Sequence, residues 1–137
     1  MNSEGNHKSL QEKLRFKIGE QYELNEFNLK SLESTFSNGL EYENYEYIKD
    51  DFKALFGVKF SKNIILQYNA DILCRVIYKF DKADYNSLFN KMTYYLSTKN
   101  KIIQDSSKKY LIVTSKSEKR IFLRMTNNKD NLIVSMS

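Results

Sequence analysis

Histidine, the commonest proton-transfer side chain near neutral pH, occurs once in the 137 residues, as His7 in a polar opening stretch. A Ser-His-Asp or Cys-His relay would have to draw that residue into a pocket built elsewhere, so catalysis by those routes is not expected. Cys74 is the single cysteine. It permits no intramolecular disulfide and no zinc site built on several cysteines, and it reads as a small apolar residue on a strand. The glycines are Gly5, Gly19, Gly39 and Gly57. None falls in the G-x-G-x-x-G or G-x-x-x-x-G-K spacing with which a backbone cradles phosphate.

Carboxylates occur close together at Asp50-Asp51 and in Glu41, Glu43 and Glu46. Neighbours on a helix diverge by about 100°, so Asp50 and Asp51 on the helix expected there would not converge on one ion. The three glutamates lie where they would favour the positive end of the same helix. An acid followed on the next strand by acid-x-Lys would suit a metal-dependent nuclease, but the position two before Lys79 is Ile77. A solvated acidic surface is therefore favoured over a metal site or a glycosidase pair, and no cofactor, metal or catalytic residue is assigned.

Charge distribution offers two binding surfaces. Residues 1–57 hold 11 acidic and 7 basic side chains, a balance of −4, and residues 58–137 hold 6 acidic and 15 basic, a balance of +9. The negative half contains the acidic-aromatic run Glu41 to Tyr47, in which Tyr42, Glu43, Glu46 and Tyr47 are candidates for contacting a partner protein. The positive half carries Lys108, Lys109, Lys119, Arg120 and Arg124 with Tyr94, Tyr110 and Phe122 interleaved. Such a sheet could hold single-stranded nucleic acid by phosphate contact and stacking. Lysine in turns is ordinary surface, so that reading ranks second.

The elements that must position these residues follow from periodicity. Alternation of Leu14, Phe16 and Ile18 predicts a strand over residues 13–24, with a helix as the competing reading. Leu29 to Phe36 reads as a short helix closed by Ser37-Asn38-Gly39. Tyr45, Ile48, Phe52, Leu55 and Phe56 recur at i, i+3, i+7, i+10 and i+11, which predicts a second helix stopped by Gly57. Ile64-Ile65-Leu66 and Ile72 to Phe80 predict a hairpin turning at Asn69-Ala70-Asp71. In the second of these strands Ile72, Cys74, Val76, Tyr78 and Phe80 should face one way and Leu73, Arg75, Ile77 and Lys79 the other. Asp81 can cap a further helix with Tyr85, Leu88, Phe89, Met92, Tyr95 and Leu96 on one stripe. Strands at Tyr110–Ser115, Arg120–Thr126 and Leu132–Met136 should then form a meander, turning at Ser115–Glu118 and Asn127–Asn131.

Consecutive hairpins with few helices predict an α+β fold, an antiparallel sheet with two to three helices packed on one face. Residues 1–12 are expected to be a disordered polar tail and residues 13–137 a single domain. No run approaches the roughly 20 apolar residues of a membrane-spanning helix. A soluble protein is expected, cytoplasmic, or extracytoplasmic if a signal or anchor precedes this stretch. With each catalytic route lacking its residues, the expectation is a non-enzymatic protein-interaction module of the inhibitor, immunity or accessory type. The alternative is a small nucleic-acid-binding protein using the basic meander.

Overall fold

The computed structural model describes residues 14–96, 100–105, 110–115, 122–127 and 132–137; for residues 95, 96, 100–105, 110–115 and 122 it describes the backbone. The polar segment 1–12, most of the turns expected at 115–118 and 127–131, and Lys108, Lys109, Lys119 and Arg120 lie outside the described residues.

The strands are β1 (Leu29–Ser31), β2 (Thr35–Ser37), β3 (Leu40–Tyr47), β4 (Ala54–Leu55), β5 (Val58–Lys59), β6 (Ile65–Asn69) and β7 (Ile72–Phe80). A helix, α1 (Tyr85–Leu96), precedes β8 (Asn100–Asp105), β9 (Tyr110–Ser115), β10 (Phe122–Asn127) and β11 (Leu132–Met136). The main sheet runs β1-β3-β6-β7-β11-β10-β9-β8, antiparallel at every pairing, with β2 beside β3. After β7, α1 carries the chain to the far edge, and the four-strand meander β8 to β11 returns it to lie against β7. Asp81 begins this crossover: its Oδ1 accepts from the Ala83 amide at 3.0 Å, capping a 3₁₀ turn at Lys82–Asp84 that leads into α1.

The hairpins are set by two-residue turns whose central residues both have positive φ, the type I′ geometry that matches the twist of the flanking strands. Asn38 (φ 52°) and Gly39 (φ 79°) join β2 to β3. Phe56 and Gly57 join β4 to β5, and Ala70 and Asp71 join β6 to β7.

Two expected helices are replaced by strands. The segment from Leu29 to Phe36 forms β1 and β2, because Asn38-Gly39 makes a hairpin turn and does not terminate a helix. The run from Glu41 to Phe56 forms β3 and the β4-β5 hairpin; Tyr45 and Tyr47 face the core by strand alternation, and Ile48 is exposed. The helix-dipole reading of Glu41, Glu43 and Glu46 falls with that helix. The strand expected at 13–24 is absent too. Residues 14–21 are irregular apart from a single bridge between Gln21 and Ile72, and 3₁₀ turns occupy Tyr22–Leu24 and Glu26–Asn28. Hence, among the described residues, one α-helix with 3₁₀ turns stands where two to three helices were expected.

Two bulges shape the sheet. Ser31 pairs with Tyr45 and Thr35 with Tyr42, so the β1–β2 strand takes four steps against three on β3. Within that gap the Asn44 Nδ2 donates to the Glu33 carbonyl at 2.9 Å and to Thr35 Oγ1 at 2.8 Å. Gln67 pairs with Arg75 and Tyr68 with Leu73, leaving Cys74 as the extra residue on β7. This second bulge reverses the expected alternation at the start of β7: Leu73 is buried on the same side as Val76, Tyr78 and Phe80.

One face of the sheet is packed. Tyr47, Leu66, Tyr68, Leu73, Val76, Tyr78, Leu123, Met125, Val134 and Met136 are buried there. Leu14, Phe16, the β4-β5 hairpin through Leu55 and Val58, and α1 through Leu88 and Met92 complete the same cluster. Aromatic rings bind these layers: Phe16 meets Tyr47 at 4.8 Å between ring centroids, and Phe60 stacks on Tyr78 at 5.4 Å. Among the described residues no helix is long and apolar enough to cross a membrane.

Candidate functional site

No described element packs over the second face of the sheet. Register places the residues on it. Lys30, Glu46, Ile65, Ile77, Ser135 and Arg124 lie side by side across β1, β3, β6, β7, β11 and β10. A neighbouring row holds Asn44, Gln67 and Arg75, and a third holds Lys79, Ile133 and Thr126. Ile65 and Ile77 are direct partners, and Ile133 is diagonal to Ile77 because Ile77 pairs with Ser135, two residues on. The three isoleucines, all half-buried, make an apolar centre with charged and polar side chains around it.

Towards the β2-β3 turn this face dips into a depression of about 420 Å³, lined by Thr35, Ser37, Asn38, Tyr42, Gln67, Cys74 and Arg75. Its floor is fixed by side-chain bonding: Gln67 Nε2 donates to Asn44 Oδ1 at 3.0 Å, and Asn44 in turn donates to Thr35. Cys74 reaches it through the bulge. The thiol donates to the Gln67 carbonyl at 3.3 Å, and burial pushes its pKa up, which keeps it a protonated, weakly nucleophilic thiol.

The acidic-aromatic run does not stay together. Tyr42 and Glu46 lie on the open face, Glu46 accepting from Asn63 Nδ2 at 3.2 Å. Glu43 and Tyr47 belong to the packed side. Glu43 accepts from the Tyr45 hydroxyl at 2.7 Å, and Tyr47 is only 2% exposed and offers no docking surface. Of the basic candidates, Arg124 is exposed on the open face with Lys79 and Arg75. Sequence reasoning passed over Arg75, Gln67, Asn44 and the three isoleucines. The apolar-polar alternation of β7 was their one signal, and it could not show which strands stand beside them.

A second polar group surrounds the buried Tyr47 hydroxyl, which donates to Asp51 Oδ1 at 2.8 Å and accepts from Arg15 Nη2 at 3.4 Å. Arg15 and Lys49 lie 3.9 and 3.8 Å from the same carboxylate. Burial, then the Asp51 bond, raises the Tyr47 pKa. That bond, reinforced by Lys49 and Arg15, holds the Asp51 carboxyl below its usual value. Neither shift moves a group toward neutral pH, and the arrangement serves to satisfy a hydroxyl at the rim of the core. Among the described residues no three His, Cys, Asp or Glu side chains gather closely enough to hold a metal ion. Compared with protein-family models, with curated proteins and with solved structures, the chain matches none of them.

Proposed function

We propose that this protein is a non-enzymatic protein-interaction module of the inhibitor, immunity or accessory type, and that the open face of its sheet is the docking surface. The observation that carries this is the apolar centre of Ile65, Ile77 and Ile133 with a polar surround, the layout of an interface whose middle is desolvated on binding while its rim stays wet. Lys30, Arg75, Lys79 and Arg124 against Glu46 give the face a positive balance, which suits a partner with an acidic surface.

The test is capture from a lysate of the source cells, with and without nuclease, using the protein and its Ile77→Glu/Ile133→Glu variant. A stoichiometric protein that survives nuclease and is lost with the variant supports the reading. A partner held equally by the variant overturns this choice of surface. The same cations favour a second reading, a small nucleic-acid-binding protein, since Arg75, Lys79 and Arg124 share one face. Recovery of nucleic acid alone, or of proteins released by nuclease, would establish that reading in place of the first.

A further inference from the structure

We propose that the depression beside the Cys74 bulge is a binding site for a hydroxylated monocarboxylate, the chemistry of an acidic sugar. Among the described residues that line it, Arg75 is the only ionised side chain; the other lining groups are hydroxyls, amides and the Cys74 thiol. Among the described residues the Arg75 guanidinium makes no hydrogen bond or ion pair, so its donor fork is available to a planar carboxylate. One fixed cation balances one negative charge. A doubly charged phosphate monoester would need a second cation, and none of the described residues that line the site supplies one.

The remaining wall selects for hydroxyl groups on the ligand. Ser37 and Tyr42 hydroxyls have no partner among the described residues, and each can donate and accept. Thr35 and Gln67 are already oriented through Asn44, which leaves the Thr35 O–H to donate and Gln67 Oε1 to accept. A wall whose polar groups are held before binding loses little side-chain entropy when a ligand arrives. The bulge supplies the geometry, since the extra residue on β7 re-aims the chain where Cys74 and Arg75 meet Gln67. At about 420 Å³ the depression lies within the usual range for small-molecule sites. This inference goes beyond the docking reading and does not depend on it, because Ile65, Ile77 and Ile133 do not line the depression.

The experiment is an NMR titration of the isotopically labelled full chain with glucuronate, alongside glucose, acetate and inorganic phosphate. Saturable shifts confined to the backbone amides around Thr35–Tyr42, Gln67 and Arg75, tighter for glucuronate than for any of the other three, are expected. Arg75→Ala should weaken glucuronate by about tenfold, equivalent to about 1.4 kcal/mol, with Arg75→Lys falling between. Tyr42→Phe should weaken it less. No saturable shift with glucuronate would overturn the proposal. So would equal binding of glucose, which would deny Arg75 a role, or of acetate, which would deny the hydroxyl wall one. Equal binding of phosphate would overturn it by revealing a general anion site. A spectrum of Arg75→Ala that matches the parent outside the depression establishes that lost binding is not lost folding.

Discussion

Replacing Tyr78 with phenylalanine should make the protein more stable, although it removes a polar group from a strand at the centre of the sheet. Tyr78 is 0% exposed, and its hydroxyl has no hydrogen-bond partner among the described residues. Burial, with Glu20 adding to it, pushes the phenol pKa well above the usual range, so the group is neutral at any working pH. A hydroxyl taken out of water without a compensating bond costs about 1–3 kcal/mol on the scale of protein mutations. The ring contacts with Phe60 at 5.4 Å and Phe52 at 6.4 Å would remain, and losing one oxygen opens only a small void, worth about 0.3 kcal/mol. The balance is a gain of about 1–2 kcal/mol, equivalent to roughly 3–8 °C in melting temperature for a chain of this size. Urea unfolding followed by circular dichroism would read it as a higher midpoint at unchanged slope. Tyr45→Phe is the internal control, because that hydroxyl donates to Glu43 at 2.7 Å and its removal should lower the midpoint. If Tyr78→Phe lowered the midpoint as well, the Tyr78 hydroxyl would have a partner in solution and the reasoning would be refuted.

Gly39→Ala should destabilise by about 1 kcal/mol; the site is spacious, so the cost comes from the left-handed backbone (φ 79°) that the type I′ turn demands, and urea midpoints would measure it. Met92→Ala empties a fully buried position on α1 and should cost about 2–4 kcal/mol, measurable in the same unfolding assay. Stability should also fall in acid through Asp51. The Tyr47 bond holds this carboxyl below its ordinary value of 3.8, so its contribution is fully present above that pH and is lost as pH falls through the depressed value. Tyr47→Phe should flatten that part of the stability profile and raise the Asp51 titration midpoint observed by NMR.

Legibility followed how local the decisive interaction was. The helix Tyr85–Leu96 was readable because its stripe, its polar face and the Asp81 cap all lie within 16 residues of one another, although Asp81 caps the 3₁₀ turn Lys82–Asp84 ahead of it and the helix itself starts three residues later than expected. The strand Ile72–Phe80 and the turn before it were equally plain, since β-branched and aromatic side chains flank a polar Asn69-Ala70-Asp71 break, of which Asp71 tolerates the left-handed backbone that both Ala70 and Asp71 adopt. By contrast, β8 was missed, its Asn100–Asp105 sequence offering only two adjacent isoleucines between polar residues. Tyr45, Ile48, Phe52, Leu55 and Phe56 fit a helical period by coincidence. Four of them pack in or against the core as parts of separate pieces, a strand, a loop and a hairpin, while Ile48 stays at the surface.

Composition and spacing alone determined that the chain is an antiparallel α+β protein ending in a meander, because hairpin turns and strand alternation are properties of a few consecutive residues. They also showed that the familiar histidine, multi-cysteine and glycine-loop motifs are missing, because those depend only on which residues are present and how they are spaced. Only the tertiary structure decided what those strands present to a partner. A single extra residue at Cys74 changes which side of the sheet Leu73 occupies, and the partners across the sheet decide that Ile65, Ile77 and Ile133 meet while Tyr42 and Tyr47 part. A binding surface on a sheet is assembled perpendicular to the chain, from residues as far apart as Asn44 and Arg124, and pairing register, which brings them together, is a property of the whole fold.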